Sequence, residues 1–347
     1  MTTTPIPLSI LLLHVLLAFE QAYGSTDTEL SALPVLANIL RVLVECSVDI
    51  KAVPELARIS TRAVRTATQN LEREGWLSMT PVKRGLKQVS LTSIGEKRLN
   101  EGLARLKKTE TGWRRRFGKD EVLALRASTT ALVRQIDIEL PHFPSGYGQG
   151  DTSIHGGSFV SGHEGPPRIP DHGAEWPIVI REDRDAVTEL PLSTLLSQAL
   201  CAFTIDYDSN AESVLAGLHT VLTYLQYSDD DGIPLRRAKT LGQVNGSGRA
   251  GFERHKLVTV ESKIAYLTNH GKRVRDRFPD RVVQIEQDWM AAYGKKTVDD
   301  LRSALERVNT EIDTDLPDYV NTTSWLTDIS HGLASFDHFG QALTISH

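Results

Sequence analysis

Basic and polar side chains cluster in one short stretch of the sequence, at a spacing that suits contact with a duplex nucleic acid. Arg62, Arg65, Thr66 and Gln69 lie off the apolar face of a helix predicted over 62–74. Side chains of these types form hydrogen bonds with base edges, which are distinguishable in the major groove of DNA. These four residues are therefore candidates for reading a base sequence.

Side chains at both ends of this helix, and in a basic loop beyond it, are candidates for phosphate binding. The loop covers 81–87 and could reach phosphates or the adjacent minor groove. These further candidates are Arg58, Arg73, Lys83, Arg84 and Lys87, and Thr61 is a candidate for contact with DNA. Thr61 and its neighbour Ser60 are also candidate N-caps.

A helix, a tight turn and a second helix must position these groups. Pro54 stands in the first turn of a helix predicted over 53–58, where its missing N–H costs nothing. In the next helix Val64, Thr68 and Leu71 recur at i, i+4 and i+7. This spacing predicts that one face of the helix packs inward.

A short hairpin follows the second helix. Gly75 is the expected C-cap, and strands are predicted over 76–79 and 88–91, joined by the basic loop. Further helices are predicted over 33–45, 94–117 and 122–136, after a long first helix that begins near residue 8. Helix, turn, helix and hairpin is the order of a winged helix-turn-helix, which places its second helix in the major groove.

The chain of 347 residues contains an internal repeat. Residues 91–141 match 267–317 with 15 identities in 51 positions, and 7–23 match 191–207 with 9 identities in 17. Repeats at a fixed offset indicate a duplicated structural unit. The predicted domains are copy one (5–141), a Gly/Pro/His-rich connector (142–188), a divergent copy two (189–317) and a C-terminal tail (318–347).

The apolar run at 8–19 has the character of a buried helix rather than of a targeting signal. No Lys or Arg precedes Arg41, although a signal peptide needs a positive first region. The run is shorter than the roughly 20 residues that span a bilayer, and its repeat lies in mid-chain. We therefore expect a cytoplasmic protein with no membrane partner.

Charge is distributed unevenly along the sequence. The whole chain has a net charge of -5, but residues 50–119 contain 17 Lys and Arg against six Asp and Glu, a net +11. The matching region 232–295 contains 13 against six, a net +7. Basic charge concentrated on one module is typical of phosphate binding, although many charged surfaces are only solvated.

The chain resembles the MarR family of bacterial regulators in segments 56–58, 71–77 and 91–95 and in the basic loop 81–87. The tandem arrangement resembles an actinobacterial, single-chain type. The resemblance implies a mainly α fold of two tandem winged helix-turn-helix domains, with small β-wings and a helical dimerisation region. It also implies sequence-specific binding to double-stranded DNA, often relieved by a small-molecule effector. We expect a monomer that acts as a pseudo-dimer, with further self-association left open.

Copy two departs from this pattern at the segment that corresponds to the DNA-reading helix. Four glycines occur within ten residues there, and each costs about 1 kcal/mol against alanine in a helix interior. Its candidate DNA contacts are Asn245, Ser247 and Arg249, and its hairpin is about five residues shorter. The glycine pattern at 246–251 also matches a dinucleotide fingerprint, but the strand that such a site requires is not predicted before it.

Other reactive residue types have plain structural interpretations. Cys46 and Cys201 lie in apolar stretches and read as small buried hydrophobes. Trp113 and Trp289 occupy equivalent repeat positions and are expected to pack a helix junction, with an effector pocket as the alternative. Connector residues near 176–180 are expected to pack onto the domains.

The connector also carries His142, His155, His163 and His172, with Asp151, Glu164 and Asp171, but without the ligand spacing of a known metal site. No cofactor or metal is therefore predicted. No catalytic triad, paired carboxylate motif or phosphate loop stands out, so we do not expect an enzyme. The predicted function is DNA-binding transcriptional regulation, and the alternative is a ligand-binding or protein-interaction scaffold that has lost specific DNA binding.

Overall fold

The computed structural model describes residues 6–24, 33–44, 47–59, 61–83, 85–143, 179–209, 232–234 and 258–313. This part of the chain is mainly helical with two small antiparallel sheets, which confirms the prediction of a mainly α protein. The helices are α1 (Leu8–Gly24), α2 (Leu33–Asn38), α3 (Val53–Ala57), α4 (Thr61–Arg73), α5 (Ser93–Arg116), α6 (Lys119–Val133), α7 (Leu192–Ser209), α8 (Asn269–Tyr293) and α9 (Lys295–Thr310). The strands are β1 (Val48–Asp49), β2 (Leu77–Lys83), β3 (Leu86–Leu91), β4 (Ile233–Pro234), β5 (Val258–Glu261) and β6 (Ile264–Leu267), and 3₁₀ turns cover Leu40–Leu43 and Ala186–Glu189.

Helices α3 and α4 form where the sequence predicts two helices. α3 ends at Ala57 because Arg58 adopts a left-handed conformation, with a φ of 58°. After α4, Gly75 has a φ of 73°, and its N–H donates to the carbonyl of Glu72 at 2.9 Å. Glycine suits this position because residues with a Cβ rarely adopt such a φ. The predicted C-cap at Gly75 is confirmed.

The hairpin of copy one is longer than the sequence predicts, and a third strand joins it. β3 lies between β1 and β2 in an antiparallel sheet, with Val48 paired to Val89. The predicted loop over 81–87 is wrong in extent, because β2 continues through Pro81 to Lys83. The register shifts between these two residues, and such an irregularity lets a sheet hold a proline.

The second sheet repeats the order of the first with shorter strands. β6 lies between β4 and β5, and the hairpin of β5 and β6 covers ten residues, 258–267. The hairpin of β2 and β3 covers fifteen, 77–91, so the predicted shortening by five residues is confirmed. Ser262 and Lys263 both have positive φ, as a tight two-residue hairpin turn requires.

Four helices, two from each sequence repeat, pack against one another. α1 contacts α7 and α9, and α6 contacts the same two helices. Leu11, Leu12 and Leu16 of α1 are fully buried, which confirms the prediction of a buried first helix. Across the described residues, no helix is both long and apolar enough to cross a membrane.

Equivalent arginines connect the two repeats. Arg126 of α6 donates to the carbonyl of Leu190, just before α7, at 2.6 Å. Arg302 of α9 donates to the carbonyl of Ile6, just before α1, at 2.8 Å. Arg126 and Arg302 occupy matching repeat positions, so each repeat fixes the start of the other's long helix in the same way.

The two equivalent tryptophans pack inside the helical layers. The ring of Trp113 lies 5.0 Å from that of Phe19, and the ring of Trp289 lies 5.4 Å from that of Phe203. Both indoles are buried, and Trp289 Nε1 also donates to Asp206 Oδ2 at 2.6 Å. The interpretation of both residues as packing at a helix junction is confirmed.

Candidate nucleic-acid interface

Helix α4 has one buried face, which fixes the direction of the rest of the helix. Val64, Thr68 and Leu71 are buried, as their spacing predicts, and α4 packs against α3 and β2. Thr68 Oγ1 donates to the carbonyl of Val64 at 2.8 Å, so this hydroxyl is satisfied inside the fold. The side chains on the opposite face are therefore presented outward.

The exposed face of α4 carries four of the candidate residues in one row. Thr61, Arg65, Gln69 and Arg73 are all exposed and are separated by steps of four residues. Residues four apart follow one ridge of a helix. Arg73 Nη2 donates to Asn70 Oδ1 at 2.9 Å, on the exposed surface. The row combines guanidinium, amide and hydroxyl groups, the chemistry that binds phosphates and base edges.

Two candidate lysines lie on neighbouring strands at the tip of the β2–β3 hairpin. Lys83 and Lys87 are exposed, and Lys87 is paired in register with Pro81. Lower in the hairpin, the hydroxyl groups of Ser78 and Ser90 lie 2.9 Å apart and join the two strands. A lysine ammonium group on a long stem can follow a phosphate backbone as a point charge.

Several candidates lie outside what the structure describes. Arg62 and Thr66 belong to α4 by their backbone, but their side chains are not described. The candidates outside the described residues are Arg84, Asn245, Ser247 and Arg249. Their contacts with DNA stay predictions.

Arg58 differs from the other candidates because its guanidinium already has a carboxylate partner. Arg58 Nε donates to Glu139 Oε2 at 2.8 Å, and Nη2 contacts the same oxygen. Its side chain is 14% exposed, and Nη1 donates to the carbonyl of Glu55. The structure thus uses Arg58 to connect the turn before α4 to the segment after α6.

A group of cationic side chains around this ion pair is not among the candidates that the sequence predicts. Arg41 lies in the 3₁₀ turn Leu40–Leu43. Arg181 lies in the last part of the connector, and its backbone N–H donates to the carbonyl of Asp137 at 2.8 Å. Burial lowers the pKa of Arg41 to about 10, helped by the charge of Arg58. Burial also lowers the pKa of His142 well below its ordinary range, and Arg41, Arg181 and Arg58 lower it further. The backbone of Ile138 pairs with that of Ile180, and the apolar residues near 180 are the one signal in the sequence that pointed to packing there.

The remaining reactive residues contribute no second site to the described part of the chain. Cys201 is buried in α7, and burial raises the pKa of its thiol, so its interpretation as a small hydrophobe is confirmed. Among the described residues, no three His, Cys, Asp or Glu side chains are arranged to hold a metal ion. Several residues singled out in the sequence lie outside the described part of the chain. They are Cys46, the histidines His155, His163 and His172, the acids Asp151, Glu164 and Asp171, and the glycine pattern 246–251.

Comparisons of the chain with family models, with curated proteins and with solved structures give no match.

Proposed function

We propose that this protein is a sequence-specific regulator of transcription that binds double-stranded DNA, with one chain supplying both halves of a MarR-type dimer. The observation that carries the proposal is the exposed row of Thr61, Arg65, Gln69 and Arg73 on α4. The buried face of α4 packs against α3 and β2, so the row on the opposite face is exposed to solvent. In this proposal α4 enters the major groove and the β2–β3 hairpin forms the wing.

The dimensions and charge of this surface support the proposal. α4 has 13 residues and is therefore about 20 Å long, and a major groove about 12 Å wide admits a helix. Lys83 and Lys87 extend the basic surface beyond the helix, within a region of net charge +11. Such a surface attracts phosphates independently of sequence, while Arg65 and Gln69 supply groups that can read bases.

The contacts between the two repeats support the proposal that one chain provides both halves. α1, α6, α7 and α9 pack together, and Arg126 and Arg302 make matching contacts across the repeats. Because the second hairpin is five residues shorter than the first, the two halves present different surfaces. We therefore expect an asymmetric operator, and we place the protein in the cytoplasm under control of a small-molecule effector.

Selection from random duplex DNA with the full chain tests this proposal. The expected result is one enriched motif with two unequal half-sites, and replacing Arg65 by Ala should relax the sequence preference at the position that Arg65 contacts. Absence of any enriched motif from a folded wild-type protein would contradict sequence-specific regulation. An enriched motif that is unchanged in R65A would contradict the assignment of base reading to α4.

The short second hairpin favours one alternative, a ligand-binding or protein-interaction scaffold of the same fold. A scaffold has no need for two complete DNA-binding lobes, and copy two has the reduced hairpin 258–267. Salt separates the two functions, since affinity for DNA falls steeply as salt rises when several phosphates are contacted. Binding to DNA that is weak at all salt concentrations would favour the scaffold.

A further inference from the structure

Three arginines lie close together where the first repeat meets the last part of the connector. Arg41 lies in the 3₁₀ turn Leu40–Leu43, and Arg58 follows α3. Arg181 is brought to them by the antiparallel pairing of the segments near 138 and 180, in which the N–H of Glu139 donates to the carbonyl of Val179 at 2.8 Å. The cluster therefore joins parts of the chain that are far apart in sequence.

The hydrogen bonds of these arginines leave two buried donors unused. Arg41 Nη2 donates to the carbonyl of Leu56 at 3.0 Å, and Arg181 Nη2 donates to Gln198 Oε1 at 3.0 Å. Among the described residues, no acceptor forms a hydrogen bond with the buried Nε atom of either arginine. Arg181 as a whole is only 7% exposed. A buried donor without an acceptor is costly, and a charged one more so.

The charges of the cluster do not balance. Within the part of the chain that the structure describes, the three guanidinium groups face one carboxylate, that of Glu139, whose Oε2 already accepts two hydrogen bonds from Arg58. Arg184, the next arginine along the chain, has its own partner in Asp137 at 2.6 Å and is exposed. His142 adds no charge at neutral pH, because burial and the surrounding arginines hold its pKa well below its ordinary range. Buried cations normally have a counter-charge.

We propose that Arg41, Arg58 and Arg181, with His142 beside them, form a binding site for a small oxyanion that carries a phosphate or carboxylate group. The planar donor fork of arginine matches the oxygen pairs of both groups. Such an anion neutralises the excess positive charge and can supply the acceptors that the described residues do not give to the two Nε atoms. The neutral ring of His142 can donate or accept one further hydrogen bond. The site does not depend on DNA binding.

Calorimetric titration of the full chain at pH 7, with inorganic phosphate and with acetate at constant ionic strength, tests the site. The expected result is saturable binding of at least one of the two, which identifies the preferred group. R181Q should weaken that binding at least about tenfold, equivalent to about 1.4 kcal/mol. R184Q is the matched control, since it removes an exposed, separately paired arginine three positions along, and it should bind as the wild type does.

Three results would overturn the proposal. The first is the absence of saturable binding of either anion to the wild-type chain, a result that needs no variant. The second is unchanged binding in R181Q or, if R181Q does not fold, in R41Q. The third is loss of binding in K83Q, a variant at the exposed tip of the β2–β3 hairpin, which would place the anion on the exposed basic surface.

Discussion

Glu110 of the first repeat accepts a hydrogen bond from the backbone N–H of Leu192, at the first turn of α7 in the second repeat, at 3.0 Å. Its equivalent, Glu286, accepts from the backbone N–H of Leu8 at the first turn of α1, at 2.7 Å. A carboxylate at a helix N-terminus satisfies an otherwise unpaired N–H and interacts favourably with the helix dipole. Each repeat thereby completes a helix of the other.

The same carboxylates also contact the arginines that connect the repeats. Arg126 lies 3.9 Å from Glu110, and Arg302 forms a closer ion pair with Glu286. The side chains of the second pair are 19% and 12% exposed, so water screens this pair poorly. The two interactions are related by the sequence repeat, but the pair in the second repeat is the tighter one.

Replacing Glu286 by Ala should lower the free energy of unfolding by about 3 kcal/mol, because it removes the closer and more buried carboxylate partner of a poorly exposed guanidinium. The backbone N–H of Leu8 loses its acceptor in the same variant. Urea denaturation followed by circular dichroism measures the change. Glu306 is the control, since it lies 3.3 Å from the same Arg302 but is 49% exposed. E306A should cost less than about 1 kcal/mol, and equal losses in both variants would contradict the special role of Glu286.

Local sequence patterns predict those parts of the fold that local interactions determine. The buried face of α4 follows from the spacing of Val64, Thr68 and Leu71, and the end of α4 follows from Gly75. The two-residue strand β1 has no periodicity to detect, because it forms only by pairing with β3, some forty residues later in the sequence. The extension of the first hairpin is hidden by Pro81, which argues against a strand until the irregularity beside it is seen.

The candidate site shows the same division. The exposed row on α4 could be predicted because its direction follows from the buried face of the same helix. The partner of Arg58 could not be predicted, since Glu139 lies 81 positions away and reaches it only through the packing of the segment after α6. Arg181 lies in a connector that has no regular pattern, and its approach to Arg58 depends on tertiary pairing with the segment near 138.

Opposite effects on DNA affinity are expected from two neighbouring changes on α4. R65A should weaken binding to the selected operator by about 1–3 kcal/mol and relax the sequence preference, because it removes a group that can contact bases. E72A removes a negative charge from the exposed part of the same helix and should strengthen binding to all duplexes alike. Fluorescence anisotropy with operator and scrambled duplexes measures both. Equal weakening of both duplexes by R65A would assign that residue to phosphate contact.

The hairpin lysines should act on affinity without acting on sequence choice. K83A and K87A should each reduce the slope of log affinity against log salt by about 1, as expected for one lost phosphate contact. Binding titrations at several salt concentrations measure the slope. K296A is the control, because Lys296 is exposed on α9 and paired with Asp300. An unchanged slope in both hairpin variants would show that the hairpin does not contact phosphates.

Asp206 should lower the stability of the protein at neutral pH. Burial raises the pKa of Asp206 above its ordinary 3.8, although the hydrogen bond from Trp289 and the charge of Arg281 act in the opposite direction. The unfolded chain therefore loses its proton at a lower pH than the folded one, and stability falls as the pH rises from about 3.8 through the raised pKa. An asparagine at this position keeps an acceptor for Trp289 Nε1 and carries no charge.

D206N should therefore raise the free energy of unfolding at pH 7, and its advantage over the wild type should shrink towards about pH 3, where Asp206 is protonated in both states. Urea denaturation at a series of pH values measures the difference between the two proteins. Asp276, an exposed carboxylate paired with Arg275 on α8, provides the matched control, and D276N should show no comparable gain. A stability difference between D206N and the wild type that is constant from pH 3 to 7 would mean that the ionisation of Asp206 is not its cause.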